Sequence, residues 1–381
     1  MAPSNDQSKI VRADYANPER MEEAQKAQRA WKEPSFSKYY IERGRIVAYT
    51  KDDKTLQRID KNREDLGLGP RPRGNKALFE TFFGPSDAPD DLIFVHNPDD
   101  AVVNWKPCMV AHEQQAKDIC RQTQGKVYER EVMSLRHDGK RVTAAIFADG
   151  EVDTSCCDIV LAVGSWTMDM LQKSEIGLPP EHRIPVPTGL FAFELELNDE
   201  QVELFKDTPV FSHVGLAEFL PPVEGRNAKL TWVEPFRVSP IDDVSTSALA
   251  HRVFEDAAEW ARRMLPRLKG AKVKATRFYC DGVTATQSPL IARHPDIENL
   301  ILACGGSYTR AKDLPTDGGY VALLLNGGHV PERFTWKGST STEGDQPRLV
   351  GRDNFEVLDA QAREDLGDRF QWHPSDSIMI I

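Results

Sequence analysis

The sequence lacks any excess of basic charge. Its 48 Lys and Arg stand against 59 Asp and Glu, a net charge of −11 over 381 residues. Such a chain has little to offer a nucleic acid or an anionic membrane, so neither is expected as a partner. No apolar run approaches the roughly 20 residues that cross a bilayer. The opening stretch, MAPSNDQSKIVRADY, has no apolar core of the signal-peptide kind, and the closing SDSIMII is not a peroxisomal address of the SKL type. There are six cysteines, two of them adjacent at Cys156 and Cys157, in no disulfide-framework pattern. No Cys-x-x-Cys or Cys/His spacing suggests zinc, and no metal is expected. Together these absences predict a reducing, cytoplasmic setting.

The chain is long enough for one large discontinuous domain or two domains. Residues 20–31, RMEEAQKAQRAW, place Met21, Ala24, Ala27 and Trp31 at helical spacing. Residues 51–75 read as exposed loop with some helix, and 109–123 as helix. Residues 126–152 alternate in short runs around Asp138-Gly139 and Asp149-Gly150, which predicts a three-stranded meander. Ile159–Val163 is a continuous apolar run, expected to form a strand covered on both faces and ended by Gly164. Strand-like pieces follow in GLFAFELEL and AKLTWVE. Residues 245–265 read as a helix capped by Ser245 or Ser247 and stopped by Pro266. A buried strand over 299–304 leads through a glycine turn to a helix near 317–326, and the tail from 336 is polar. Buried strands, a meander and alternating helices together predict an α/β fold with mixed α+β character, in which two domains interleave along the chain.

Five stretches, in order, resemble the FAD-dependent amine oxidase family that includes fructosyl amino acid oxidases (amadoriases) and monomeric sarcosine oxidases. They are NDQSKIVRADY (5–15), DIVLAVGSW (158–166), AEFLPPVEGRNAKLTWVEPF (217–236), RFYCDGVTATQSPLIARHP (277–295) and LACGGSYTRAKDLPTDGGYVALLL (302–325). The likeness runs to about residue 336. It implies a Rossmann-like FAD-binding part over 1–60, 108–190 and 270–335. It further implies a substrate domain on a mixed or antiparallel sheet over 61–107 and 191–269, with 336–381 as a tail.

The resemblance also implies roles. Lys229 would lie over the flavin ring and promote reaction with oxygen, an ammonium stabilising developing negative charge. Lys312 would face the carboxylate of an amino-acid substrate. Arg12, Gly164, Trp166, Cys280 and the turn Gly305, Gly306 and Ser307 fall where the family holds its cofactor. Taken alone, Lys229 reads as a solvent-facing lysine on an alternating strand, and Lys312 reads equally as an exposed lysine opening a helix. Glu234 and Glu218 flank the Lys229 segment, and either suits general acid–base work if desolvated. Trp232 is close enough in sequence to line a pocket wall. Arg12 and Asp14 read equally as a structural ion pair, and His294, just before Pro295, as a turn residue.

The departures are as informative. The family opens with a strand, GxGxxG, a helix and a strand ending in an acid, a unit whose backbone amides hold a pyrophosphate. This chain contains no GxGxxG and begins about where the second strand of that unit would already have ended. Either the fold has closed around that loss or the sequence is a fragment of a longer product. Where the family turn carries small residues, this chain has Tyr308, Thr309 and Arg310. Tyr308 and Arg310 are expected to plug the cofactor slot, to line a new substrate pocket, or to point to solvent. The family's flavin-linked thiol falls on Tyr279, with Cys280 one residue late and so on the opposite face of a strand. Two functions follow. One is an FAD-dependent oxidoreductase acting on an amine or N-substituted amino acid. The other is a flavin-free descendant, either a non-redox enzyme (isomerase, cyclase or lyase) or a binding protein.

Overall fold

A computed structural model describes residues 3–155, 157–179, 185–237, 248–284 and 286–336. Its largest element is an eight-stranded sheet. The strands run in the order Lys272–Val283, Val186–Glu196, Asn227–Arg237, Ala217–Leu220, Val210–His213, Arg45–Thr50, Leu92–Asn97 and Arg73–Gly74. All neighbours are antiparallel except Val210–His213 beside Arg45–Thr50. Arg45–Thr50 and Lys272–Val283, both from stretches expected in the Rossmann-like part, belong to this sheet.

The two-residue period of the strands sorts their side chains. Ala228, Leu230 and Trp232 share one face with Ala217, Phe219, Phe278 and Cys280, in the largest core cluster. The helices Lys76–Phe83 and Ala248–Met264 supply the other side of that core. There Phe79, Phe83, Phe94 and Phe211 interlock at centroid distances of 4.7–6.5 Å, and Trp260 stacks on Phe211 at 5.5 Å. Lys229, Thr231, Glu218, Leu220 and Tyr279 occupy the intervening positions and face a cavity instead.

Two smaller sheets flank the cavity, one lining it with Lys9 and Ile10 and the other carrying the turn whose Tyr308 and Thr309 line it. Ser8–Val11 pairs antiparallel with Ala101–Asn104, which also carries Tyr40–Glu42. The helix Pro18–Trp31 follows the first of these strands. It starts where Asn17 Oδ1 accepts the Arg20 N–H at 2.9 Å, with Pro18 in the first turn. The other sheet places Ile159–Leu161 parallel to Leu300–Cys304, with Leu290–Arg293 antiparallel beyond. The expected meander forms as Val132–His137, Val142–Phe147 and Gly150–Asp153. It packs Leu135 and Val142 against Leu161, Leu300 and Leu302. Asn299 stitches the two layers, bonding both the N–H and the C=O of Val142 at 2.8 and 3.0 Å.

The helical part expected within 51–75 is Lys54–Asp65, whose N-cap Asp53 accepts from Thr55 and Leu56 N–H. One expectation needs correction. The run Ile159–Val163 is not covered on both faces: only Ile159–Leu161 is strand, it lies at the sheet edge, and Val160 is 36% exposed. The apolar helix Leu314–Leu325 likewise has no buried residue, and Leu323 and Leu325 are exposed. Among the described residues, no strand borders the free edge of Ile159–Leu161. The proposed caps Ser245 and Ser247 and the tail from 337 lie outside the described residues. Among those residues, no helix is long and apolar enough to cross a membrane.

Gly189 sits at an irregularity where its strand crosses Phe278, and a Cβ there would fall 1.7 Å from the ring. Gly189→Ala should lower stability by about 1–3 kcal/mol through overpacking, read as a lower midpoint in urea denaturation with unchanged slope.

Candidate functional site

The cavity encloses about 90 Å³. At one end the chain before the strand Ser8–Val11 lies across the large sheet. Asp6 is buried there and accepts from Lys229 Nζ at 2.6 Å, Lys9 Nζ at 2.8 Å and the Tyr279 hydroxyl at 3.1 Å. Lys229 also donates to Ser8 O at 2.7 Å. Burial works against the Asp6 charge, but Lys229 and Lys9 hold its carboxyl well below the usual carboxylate range. Burial pulls the Lys229 ammonium down, with Asp6 opposing. Burial, with Asp6 adding to it, pushes the Tyr279 phenol far up.

At the other end Arg12 Nε donates to the Tyr15 hydroxyl at 3.1 Å, and Lys312 Nζ lies 4.6 Å from the Tyr15 ring centroid. Lys312, 2% exposed, donates to Thr309 O and, at 3.1 Å, to Asp313 Oδ2. Burial lowers its ammonium, and Arg20 adds to that. Behind it lies a network of buried charges. Asp313 accepts from Arg20 at 2.9 Å and is approached by Arg310 at 3.3 Å, and Arg310 also pairs with Asp317. Four cations (Lys9, Arg12, Lys229 and Lys312) therefore border the cavity against two carboxylates, Asp6 and Glu218.

The wall between these ends is the glycine turn. Gly305, Ser307 and Tyr308 take left-handed φ values of 78°, 48° and 56°. Glycine is needed beside them: a Cβ on Gly306 would fall 2.8 Å from Asp281 Oδ2. The Asp281 carboxylate in turn accepts the Tyr308 and Gly282 N–H groups, each at 2.8 Å. The Tyr308 hydroxyl lies against Thr188 O and, at 3.0 Å, Tyr279 O. The tyrosine thus fills the space between the turn and the large sheet and closes that wall.

The sequence pattern of FAD dependent oxidoreductases (DAO) matches residues 2–315. The chain belongs to that family. It is 23% identical to the L-saccharopine oxidase of Schizosaccharomyces pombe over 364 residues, covering 86% of this chain and 81% of the relative. Its fold is similar to that of Aspergillus fumigatus fructosamine oxidase (Amadoriase II), with a TM-score of 0.75 at 19% identity over 93% of this chain and 86% of that one. Amadoriase I of the same organism gives 0.69 at 21% identity over 93% and 84%. Family and mixed α/β fold are those that the five sequence stretches imply.

The residues described here do not by themselves fit the family's cofactor. A cavity of about 90 Å³ has no room for a dinucleotide. The amide of Tyr308 is committed to Asp281, and the turn's tyrosine occupies the adjoining space. The sequence has no GxGxxG turn between a strand and a helix, the unit that holds a pyrophosphate.

Of the residues singled out in the sequence, the fold brings Arg12, Lys229, Tyr308 and Lys312 together on the cavity. Gly305, Gly306 and Ser307 form the turn behind Tyr308. Gly164, Ser165 and Trp166 make a 3-10 turn against the strand Lys272–Val283, where Ser165 Oγ donates to Cys280 O at 3.2 Å. None of these turn glycines, Ser307 or Trp166 lines the cavity itself, and neither do Cys280, Trp232, Glu234 and Arg310. Cys280 lies in the core on the face opposite Tyr279, and burial pushes its thiol up to about 11. Trp232 and Glu234 are also on that far face, with Trp232 Nε1 donating to Glu234 at 3.4 Å. Arg310 is spent on Asp317, Asp313 and Glu23. His294 is the turn residue expected: its Nδ1 accepts the Asp296 and Ile297 N–H groups. Sequence reasoning missed Asp6, Lys9 and Tyr15. Their signal was a three-residue spacing, Asp6-Lys9-Arg12-Tyr15, within the stretch that resembles the family's loop and strand.

Lys229→Met should leave Asp6 buried with one ammonium fewer and cost about 3–5 kcal/mol. Asp6→Asn combined with Lys229→Met should recover much of that loss, measured by urea denaturation at neutral pH. Because the Asp6 carboxyl is depressed in the folded state, its stabilisation is present above the usual carboxylate range and is lost as pH falls through and below that range. The wild type should therefore lose more stability on acidification than the double variant.

Proposed function

We propose that this protein acts on a carboxylate-bearing secondary amine of the saccharopine or fructosyl amino acid kind, as an oxidoreductase. Its relatives carry such substrates in their names, and one observation in this chain supports the same class: four cations face one small cavity against two carboxylates. Lys312 and Arg12 are the groups best placed to draw in a carboxylate, since Lys229 and Lys9 already share Asp6. A buried ammonium and a guanidinium give charge-assisted bonds to a carboxylate about twice as strong as neutral ones. What the family's flavin supplies when bound is acceptance of the hydride from the carbon next to nitrogen. Its nucleotide grip must come from outside the residues described.

A second reading, a flavin-free member that binds or transforms the same ligand without redox chemistry, is favoured by Tyr308, whose ring and hydroxyl close the wall against a flavin.

Both readings predict that L-saccharopine or a fructosyl amino acid raises the melting temperature, that decarboxylated analogues do not, and that Lys312→Met abolishes the shift. A spectrum taken after incubation with FAD and gel filtration separates them. Retained flavin bands are the outcome of the oxidoreductase reading, and a colourless ligand-binding protein that of the second. If no amino-acid amine stabilises the protein, both readings fall.

A further inference from the structure

Tyr15 is buried yet borders two cavities, the one above and a neighbour of about 60 Å³. Its hydroxyl oxygen receives the Arg12 Nε–H, and among the described residues nothing accepts the hydroxyl's own proton. Three cations from three elements surround it. The Arg12 guanidinium lies 4.9 Å from the ring centroid, Arg20 of the helix Pro18–Trp31 lies at 5.3 Å, and the Lys312 ammonium at 4.6 Å. The remaining charged neighbours do not reverse this field. Asp313 is paired through Oδ2 with Arg20 and Lys312, and Asp14 is paired with Arg63 and Arg71. From the large sheet, Glu218, Arg45, Tyr49 and His213 face the second cavity. Arg45 is held by Asp100 at 2.8 Å, and burial favours the neutral form of His213.

A phenol so placed is built to give up its proton to the cavity and to take one back. We propose that Tyr15 is the proton-exchange residue of this site. Its phenolate oxygen takes one proton from the ammonium of the bound amine, breaking one N–H bond and forming one O–H bond with no electron transferred. The free amine that results holds the lone pair that any later step at nitrogen or its neighbouring carbon requires. The inference rests on the amine reading above. Burial opposes the phenolate, but Arg12, Lys312 and Arg20 outweigh it and lower the Tyr15 hydroxyl from its ordinary value, whereas Tyr49 is pushed up to about 12 and Tyr279 and Tyr40 are also raised.

The test is a spectrophotometric titration of the ligand-free protein near 295 nm, where phenolate absorbs. One tyrosine should ionise below the ordinary value of about 10. It should vanish in Tyr15→Phe and move upward in Lys312→Gln, a variant that keeps the assignment testable if Tyr15→Phe does not fold. At a pH where this phenolate is formed, adding L-saccharopine should remove its absorbance. A titration with no early tyrosine, or one that persists in Tyr15→Phe, overturns the assignment of Tyr15. An early Tyr15 phenolate that no amino-acid amine quenches leaves the assignment standing and overturns the amine as its partner, and with it the proposed substrate class.

Discussion

The site depends on one buried carboxylate. Asp6 receives hydrogen bonds from two lysines and a tyrosine drawn from three separate parts of the chain. A carboxylate in so dry a place would be costly alone, and two ammonium groups in the same place would repel each other. Together they fix the segment before Ser8–Val11 across the large sheet. That segment brings Lys9, Arg12 and Tyr15 to the cavity, so the clamp sets the geometry of the site as well as its charge.

The same clamp restrains what Lys229 can do. Sequence likeness gave this lysine a role over a flavin ring, and its strand does point it at the cavity. Its ammonium is nevertheless shared between Asp6 and Ser8 O, so it acts first as a structural ion. Lys312 is differently placed. It caps a cluster in which acids and bases are interleaved, and it alone of that cluster borders the cavity beside Tyr15. The glycine turn was legible as a turn, but the purpose of its tyrosine was not. Tyr308 takes a left-handed conformation that a tyrosine seldom adopts, and the Asp281 carboxylate compensates by binding its amide.

How much the sequence revealed follows the range of the forces involved. Strand alternation is local, so AKLTWVE already separates Lys229 and Thr231 from Leu230 and Trp232. The one-residue slip between Tyr279 and Cys280 likewise placed them on opposite faces. The meander and the helices Pro18–Trp31 and Ala248–Met264 were readable from turn chemistry and period. Contacts made across the chain were not. Nothing local ties Asp6 to Lys229, 223 residues apart, or Arg20 to Asp313, 293 residues apart. Arg310 meets Glu23 only once Pro18–Trp31 packs beside Leu314–Leu325, so that partner could not be read locally. The burial of Ile159–Val163 was misjudged because an apolar run states a preference for cover and cannot supply the neighbour.

That short strand has a consequence for how the molecule breathes. Among the described residues Ile159–Leu161 is bonded along one side only, and the helix Leu314–Leu325 contributes little buried surface, whereas Phe79, Phe94 and Phe211 under the eight-stranded sheet are fully buried. Resistance to opening is accordingly uneven. The edge strand Ile159–Leu161 is the natural place for transient fraying, and the sheet beneath Phe79 and Phe211 is the last region to let solvent in. Gly164 follows that edge strand, whereas the turn that carries Tyr308 follows Leu300–Cys304, which is bonded on both sides and buried; opening at the edge therefore loosens the Gly164 turn first and leaves Tyr308, Lys229 and Tyr279 on firm strands.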